Sequence, residues 1–103
     1  METKTLSLPR LNQLNPTLES TALKLMEEAG ELAQAIGKYR GLSGEEVQMD
    51  EETVVGEIAR ELLDVAQTAV TMMFVMEEKY GINIDSLLNN HKMKLERKGY
   101  LSL

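Results

Sequence analysis

The 103-residue chain has no cysteine. That excludes a disulfide framework, a zinc–thiolate site and a catalytic thiol. It is compatible with a reducing cytoplasm, which is the expected location. Tryptophan is also absent, and there are only one phenylalanine and three tyrosines. Seven methionines supply flexible apolar bulk that fills irregular gaps and adaptable interfaces. No apolar run approaches the roughly 20 residues of a membrane-spanning helix, so no membrane partner is expected. The opening METKTLSLPRLNQLNP has no basic start followed by an apolar stretch and does not read as a signal peptide. There is no basic run long enough to form a nucleic-acid footprint. The net charge of −6 repels polyanions unless metal ions mediate the contact. Nucleic acid is therefore not expected as a partner. The length allows one domain rather than two, with a modest core.

What is present is helical periodicity. Residues 1–16 form an arm, since Pro9 and Pro16 both disfavour helix in the residue before them. From Thr17, a natural N-cap, Leu18, Ala22, Leu25, Ala29, Leu32, Ile36 and Tyr39 recur at steps of three and four. This spacing predicts a helix over 18–39, ended by Gly41. Residues 40–51 read as a connecting loop with a short helical turn near 45–49. A long helix follows over 52–80, with the stripe Val55, Ile58, Leu62, Ala66, Ala69, Met73, Met76 and Tyr80, and Gly81 stops it. A third helix is expected over 84–98, started by Asn83 or Asp85 and ended by Gly99. The expected fold is all-α: a small bundle of three main helices with an N-terminal arm, the helical domain being 17–103. Between residues 65 and 76 only Gln67, Thr68 and Thr71 are polar. A helix apolar nearly all round is buried on several sides. Either a partner chain covers it, giving a homodimer or homotetramer, or the arm folds over its exposed side.

The charges raise a sharper question. "EEAGEL" (27–32) puts Glu28 and Glu31 one turn apart on a helix, where like charges are mildly destabilising. "ELLD" repeats the pattern with Glu61 and Asp64. Both pairs fall beside the apolar stripes, so antiparallel packing of the two helices lets the four carboxylates converge. Unneutralised, such a group resists ionisation through desolvation and mutual repulsion. A hard divalent cation resolves this, and Mg²⁺ favours carboxylate oxygens shared with substrate phosphates. Mn²⁺ suits the same ligands. Gly30, inside the helix, costs about 1 kcal/mol relative to alanine and is expected to mark a close approach of a helix or ligand. With seventeen acidic residues, the competing reading of each pair is a solvated helix face. The basic segment HKMKLERK (91–98) sets Lys94 and Arg97 one turn apart as a candidate phosphate clamp. Its bland reading is complementation of the helix dipole. His91 reads as a surface residue, and Phe74 as packing before it reads as a base-stacking ring.

Taken together, "KLMEEAGELAQAIGK" (24–38), "EIARELLDV" (57–65) and "NNHKMKLERKGYL" (89–101) resemble the MazG-like nucleotide pyrophosphohydrolases of the all-α NTP pyrophosphatase superfamily. The resemblance covers about residues 18–100. It implies hydrolysis of a nucleoside triphosphate to the monophosphate and pyrophosphate with Mg²⁺, by a helical dimer or dimer of dimers. It implies Glu28, Glu31, Glu61 and Asp64 as metal ligands and Lys94 and Arg97 as catalytic groups on the phosphates. Asn90 matches a substrate-binding position, and Glu27 a water-orienting or supporting catalytic position. The gap between the acidic motifs, 32–60, is longer than in compact members. Loop and arm residues are therefore expected to shape base specificity, with pool cleaning or signalling as the role. Two rivals share the scaffold. Phosphoribosyl-ATP pyrophosphohydrolase often carries Tyr-His after the second acidic motif, where this chain has Val65 and Ala66. A catalytically silent helical dimer would act as a partner-binding or regulatory module.

Overall fold

The computed structural model describes residues 1–41 and 50–102. The turn expected near 45–49 lies outside them. Three helices and no strand are present among the described residues: α1 (Leu18–Tyr39), α2 (Glu51–Tyr80) and α3 (Ile84–Arg97). The all-α fold is as expected, with α2 starting one residue earlier and α3 ending one residue sooner. No helix is long and apolar enough to cross a membrane.

Local chemistry sets the helix ends. Thr17 Oγ1 accepts from the Ser20 amide at 3.0 Å, and Ser20 Oγ accepts from the Thr17 amide at 2.8 Å. This reciprocal pair satisfies two backbone donors that the first turn would otherwise orphan. Asp50 caps α2 by accepting from the Thr53 amide at 2.8 Å, which holds its carboxyl below the usual aspartate range. Asn83, rather than Asp85, caps α3. Gly81 stops α2 in the left-handed region, φ 66°, where a Cβ would be strained. The Tyr39 hydroxyl donates to Glu51 Oε1 at 2.7 Å, joining the end of α1 to the start of α2.

α1 and α2 pack antiparallel, and their seam differs from the expected stripes. The residues buried on α2 are Val54, Thr68, Thr71 and Val75, and those on α1 are Thr21 and Glu28. Thr21 and Glu28 are seven apart, as are Val54, Glu61, Thr68 and Val75, so each set lies along one face. The predicted α2 stripe sits one residue, about 100°, around from this seam. It stays largely open: Leu62 is 55% and Met73 40% exposed. The seam needs small side chains and carboxylates where the helices meet, so the most apolar face turns away from α1. Gly30 also departs from expectation. Nothing lies within 4 Å of the Cβ it lacks, so it marks no close approach within this chain.

The arm covers a different side of α2. The Gln67 amide donates to the Pro9 carbonyl at 3.0 Å, and Lys79 Nζ to the Pro16 carbonyl at 3.1 Å. Arg10 pairs with Glu78 at 2.9 Å and lies 4.5 Å over the Phe74 ring. Phe74 is thus a packing residue. α3 buries none of its residues. The radius of gyration is 16.9 Å, against about 13 Å for a compact chain of this length.

Candidate metal centre and its two grooves

At mid-seam, one carboxylate oxygen each from Glu28, Glu31 and Glu61 lies within 4.8 Å of the other two. Glu28 comes from the buried face of α1 and is 7% exposed. Glu31 stands one turn on, exposed, and Glu61 faces them from α2, half-buried. The carboxylates therefore stand in the seam itself rather than beside it. Glu28 Oε1 takes Lys24 Nζ at 3.1 Å, and Glu27 takes the same ammonium at 3.6 Å. These contacts, Glu28 first, raise the Lys24 pKa. Glu28 Oε2 and Glu61 Oε2 are buried with no hydrogen-bond partner. Repulsion from Glu28, with some burial and the further charges of Glu61 and Glu27, raises the Glu31 pKa.

An acidic cluster alone says little, but the two buried oxygens without partners are unusual. Leaving a buried charged acceptor unsatisfied is costly. The donor set is all oxygen and anionic, which suits a hard cation and no soft one. The residues present fit such an ion.

The centre divides one face of the helix pair into two grooves. The first, about 440 Å³, lies under the arm, between Leu11, Leu14 and Pro16 on one side and Thr21, Gln67 and Thr68 on the other. Glu28 and Asp64 stand at its edge. The second, about 410 Å³, runs toward the α1 C-terminus and is lined by Glu31, Gln34, Ala35, Lys38, Glu57, Arg60 and Glu61.

Of the residues singled out from the sequence, Glu28, Glu31 and Glu61 come together. Asp64 is exposed on the arm groove, one turn from Glu61 and outside the close group. Glu27 is exposed and occupied with Lys24. Asn90, Lys94 and Arg97 are exposed on α3, and among the described residues they line neither groove. His91 is exposed, as expected. The sequence reading passed over Lys24, Lys38 and Arg60, the cations that share grooves with the carboxylates. One signal was available: Arg60 is the sole cation between residues 51 and 78, directly before Glu61.

The profile of the MazG nucleotide pyrophosphohydrolase domain matches residues 16–99. The chain is also similar to the Uncharacterized protein YvdC of Bacillus subtilis (strain 168), 28% identical over 74 residues, covering 72% of this chain and 68% of that protein. No solved structure gives a significant match.

Proposed function

We propose that this chain, which belongs to the MazG nucleotide pyrophosphohydrolase domain family, hydrolyses a nucleoside triphosphate to the monophosphate and pyrophosphate, with Mg²⁺ or Mn²⁺ held by Glu28, Glu31 and Glu61. The observation that carries this is the pair of buried, unpartnered oxygens, Glu28 Oε2 and Glu61 Oε2, on carboxylates that converge with that of Glu31. When bound, such a cation neutralises phosphate charge and lowers the pKa of a water.

The chain's own residues do the rest. Asp64, at the arm-groove edge, is the fourth carboxylate and closes the site from that side. Lys24 holds Glu28 in place, and Glu27 holds Lys24. The arm groove, apolar on one wall and rich in amide and hydroxyl groups on the other, suits a nucleoside. In the reaction a water oxygen bonds to the α-phosphorus and the bond to the α,β-bridging oxygen breaks. That oxygen leaves with pyrophosphate, and the water's proton passes to solvent.

Lys94 and Arg97 stand apart from the carboxylates of their own chain, so their phosphate role calls for a second copy. The open α2 stripe, the exposed Leu87, Leu88 and Met93 of α3 and the expanded dimensions all support a homo-oligomer. The test is a panel of canonical and modified NTPs and dNTPs with pyrophosphate detection, with and without Mg²⁺. Release that needs the metal supports the reading. No release from any nucleotide overturns it in favour of the silent module.

A further inference from the structure

We propose that the groove around Arg60 binds the two distal phosphates of the substrate and then the pyrophosphate product, with the guanidinium as their anchor. This rests on the pyrophosphohydrolase reading and assigns a direction to the substrate along the seam.

The two grooves share their helix faces. On α1, Thr21, Lys24 and Glu28 line the arm groove, and Glu31, Ala35 and Lys38 line the other. These six follow one another at steps of three and four, so they form one face. On α2 the same holds for Glu57 and Glu61 in one groove and Asp64, Thr68 and Thr71 in the other. The two grooves therefore lie end to end along one face of the helix pair, with the carboxylate centre between them. From Thr21 to Lys38 the face runs about 25 Å, long enough for an extended nucleoside triphosphate lying across the centre.

The two ends contrast in chemistry. The arm groove offers leucine and proline surface with amide and hydroxyl groups, which fits a sugar and base. The other groove holds no large apolar side chain; three glutamates, Gln34, Ala35, Lys38 and Arg60 line it, a poor surface for a base, and its two cations are where phosphate oxygens would be met.

The cations of the two grooves also differ in their partners. Lys24 is held by Glu28 and Glu27. Arg60 makes no hydrogen bond or ion pair among the described residues, although Glu57 stands one turn before it on the same helix. A Cβ at Gly56 would lie 3.5 Å from Arg60 Nη1, so the guanidinium lies back over Gly56. A planar guanidinium takes two phosphate oxygens at once. In a chain of net charge −6, an unpaired arginine beside the carboxylate centre is the natural anchor for an anion that arrives with a cation.

The experiment is calorimetric titration of inorganic pyrophosphate into the Mg²⁺-loaded protein: wild type, Arg60→Gln and Arg60→Lys. Pyrophosphate is a product, so binding is read without turnover. Arg60 is exposed, and equal melting temperatures check that the variants fold. The expected result is wild-type binding that weakens about tenfold to a hundredfold in Arg60→Gln, with Arg60→Lys between. Equal affinity in wild type and Arg60→Gln, or no binding by wild type, overturns the proposal. The two readings fail separately. Turnover of a nucleotide with pyrophosphate affinity indifferent to Arg60 sinks this assignment alone. Arg60-dependent binding of pyrophosphate with no nucleotide hydrolysed supports the anion groove and sinks the hydrolase reading.

Discussion

Glu28 on α1 and Glu61 on α2 face each other across the helix seam, and each buries an Oε2 that has no hydrogen-bond partner. In a small chain whose buried apolar residues, among those described, are Val54 and Val75, this is a costly use of the interior. Removing water from two carboxylates opposes folding unless a counter-charge arrives. Lys24 supplies part of it on Glu28 Oε1. The Glu28 and Glu61 carboxylates converge with that of Glu31, so the uncompensated charge gathers where the proposed cation would sit.

Cation binding should therefore appear as stability. A ligand that binds only the native state raises stability by mass action, about 2.7 kcal/mol at a hundred times its Kd. Mg²⁺ or Mn²⁺ at millimolar concentration is expected to raise the melting temperature, and Glu28→Gln or Glu61→Gln to abolish the rise. A wild-type melt indifferent to both ions would argue that the carboxylates form only a strained, empty seam.

Without metal, the same site should make stability fall as pH rises. The Glu31 pKa is raised in the folded chain, chiefly by Glu28. The native state thus holds this proton at a pH where the unfolded chain has released it. The contribution is fully present below the unfolded pKa and is lost as pH rises through the folded one. In EDTA, Glu31→Gln is expected to melt higher than wild type near neutral pH and to flatten the pH profile just above the ordinary glutamate range. A melting temperature lowered in Glu31→Gln at neutral pH contradicts this electrostatic account.

The helices and the Thr17 cap were legible because their causes are local. A Thr before an amphipathic run and a Gly at its end act within a few residues, whereas Asp50, the cap of α2, lies in the stretch whose lack of period predicts a loop. The rotation of α2 was not legible. Its apolar pattern records every surface that is ever covered, and the seam with α1, carrying Glu61, Thr68 and Thr71, is not the most apolar of its faces. The same ambiguity hid Gly30, whose cost was read as a close approach that the single chain does not contain. The convergence of Glu28, Glu31 and Glu61 could be anticipated because spacing of three or four on a helix is a sequence property. That Asp64 opens onto the arm groove, that Arg60 has no partner among the described residues, and that α3 keeps Lys94 and Arg97 at a distance depend on how helices are placed.

The open faces give a prediction about assembly. Leu62→Glu or Met73→Glu places a charge on the exposed α2 stripe, away from the α1 seam. Sedimentation is expected to show an oligomer for wild type at micromolar concentration and smaller species for both variants. Gly30→Ala is the companion measurement. If Gly30 stays open in the assembly, alanine gains about 1 kcal/mol of helix propensity, worth about 4–8 °C in a domain of this size. A drop instead would put the partner chain against α1.

The last prediction separates residues that hold the cation from residues that hold the fold. Glu61→Gln keeps volume but removes a ligand charge from the buried cluster, so it should lose metal binding and cut turnover by orders of magnitude. Asp64→Asn alters the groove edge rather than the close group of three. It is expected to cut turnover heavily while retaining part of the metal-induced stabilisation, since the three glutamates remain. In the proposed reaction Arg97 meets phosphates rather than the cation, so Arg97→Ala should lower turnover with metal binding intact. Glu51→Gln is the control: its side chain accepts from Tyr39, and a glutamine carbonyl can accept the same bond, so fold and turnover should both hold. If both pairs were solvated helix faces, the three acidic changes would be equally mild. Melting with and without Mg²⁺, alongside pyrophosphate release, ranks the four. Near-wild-type turnover in Glu61→Gln would leave the buried Glu28 and Glu61 oxygens without a catalytic reason to be there.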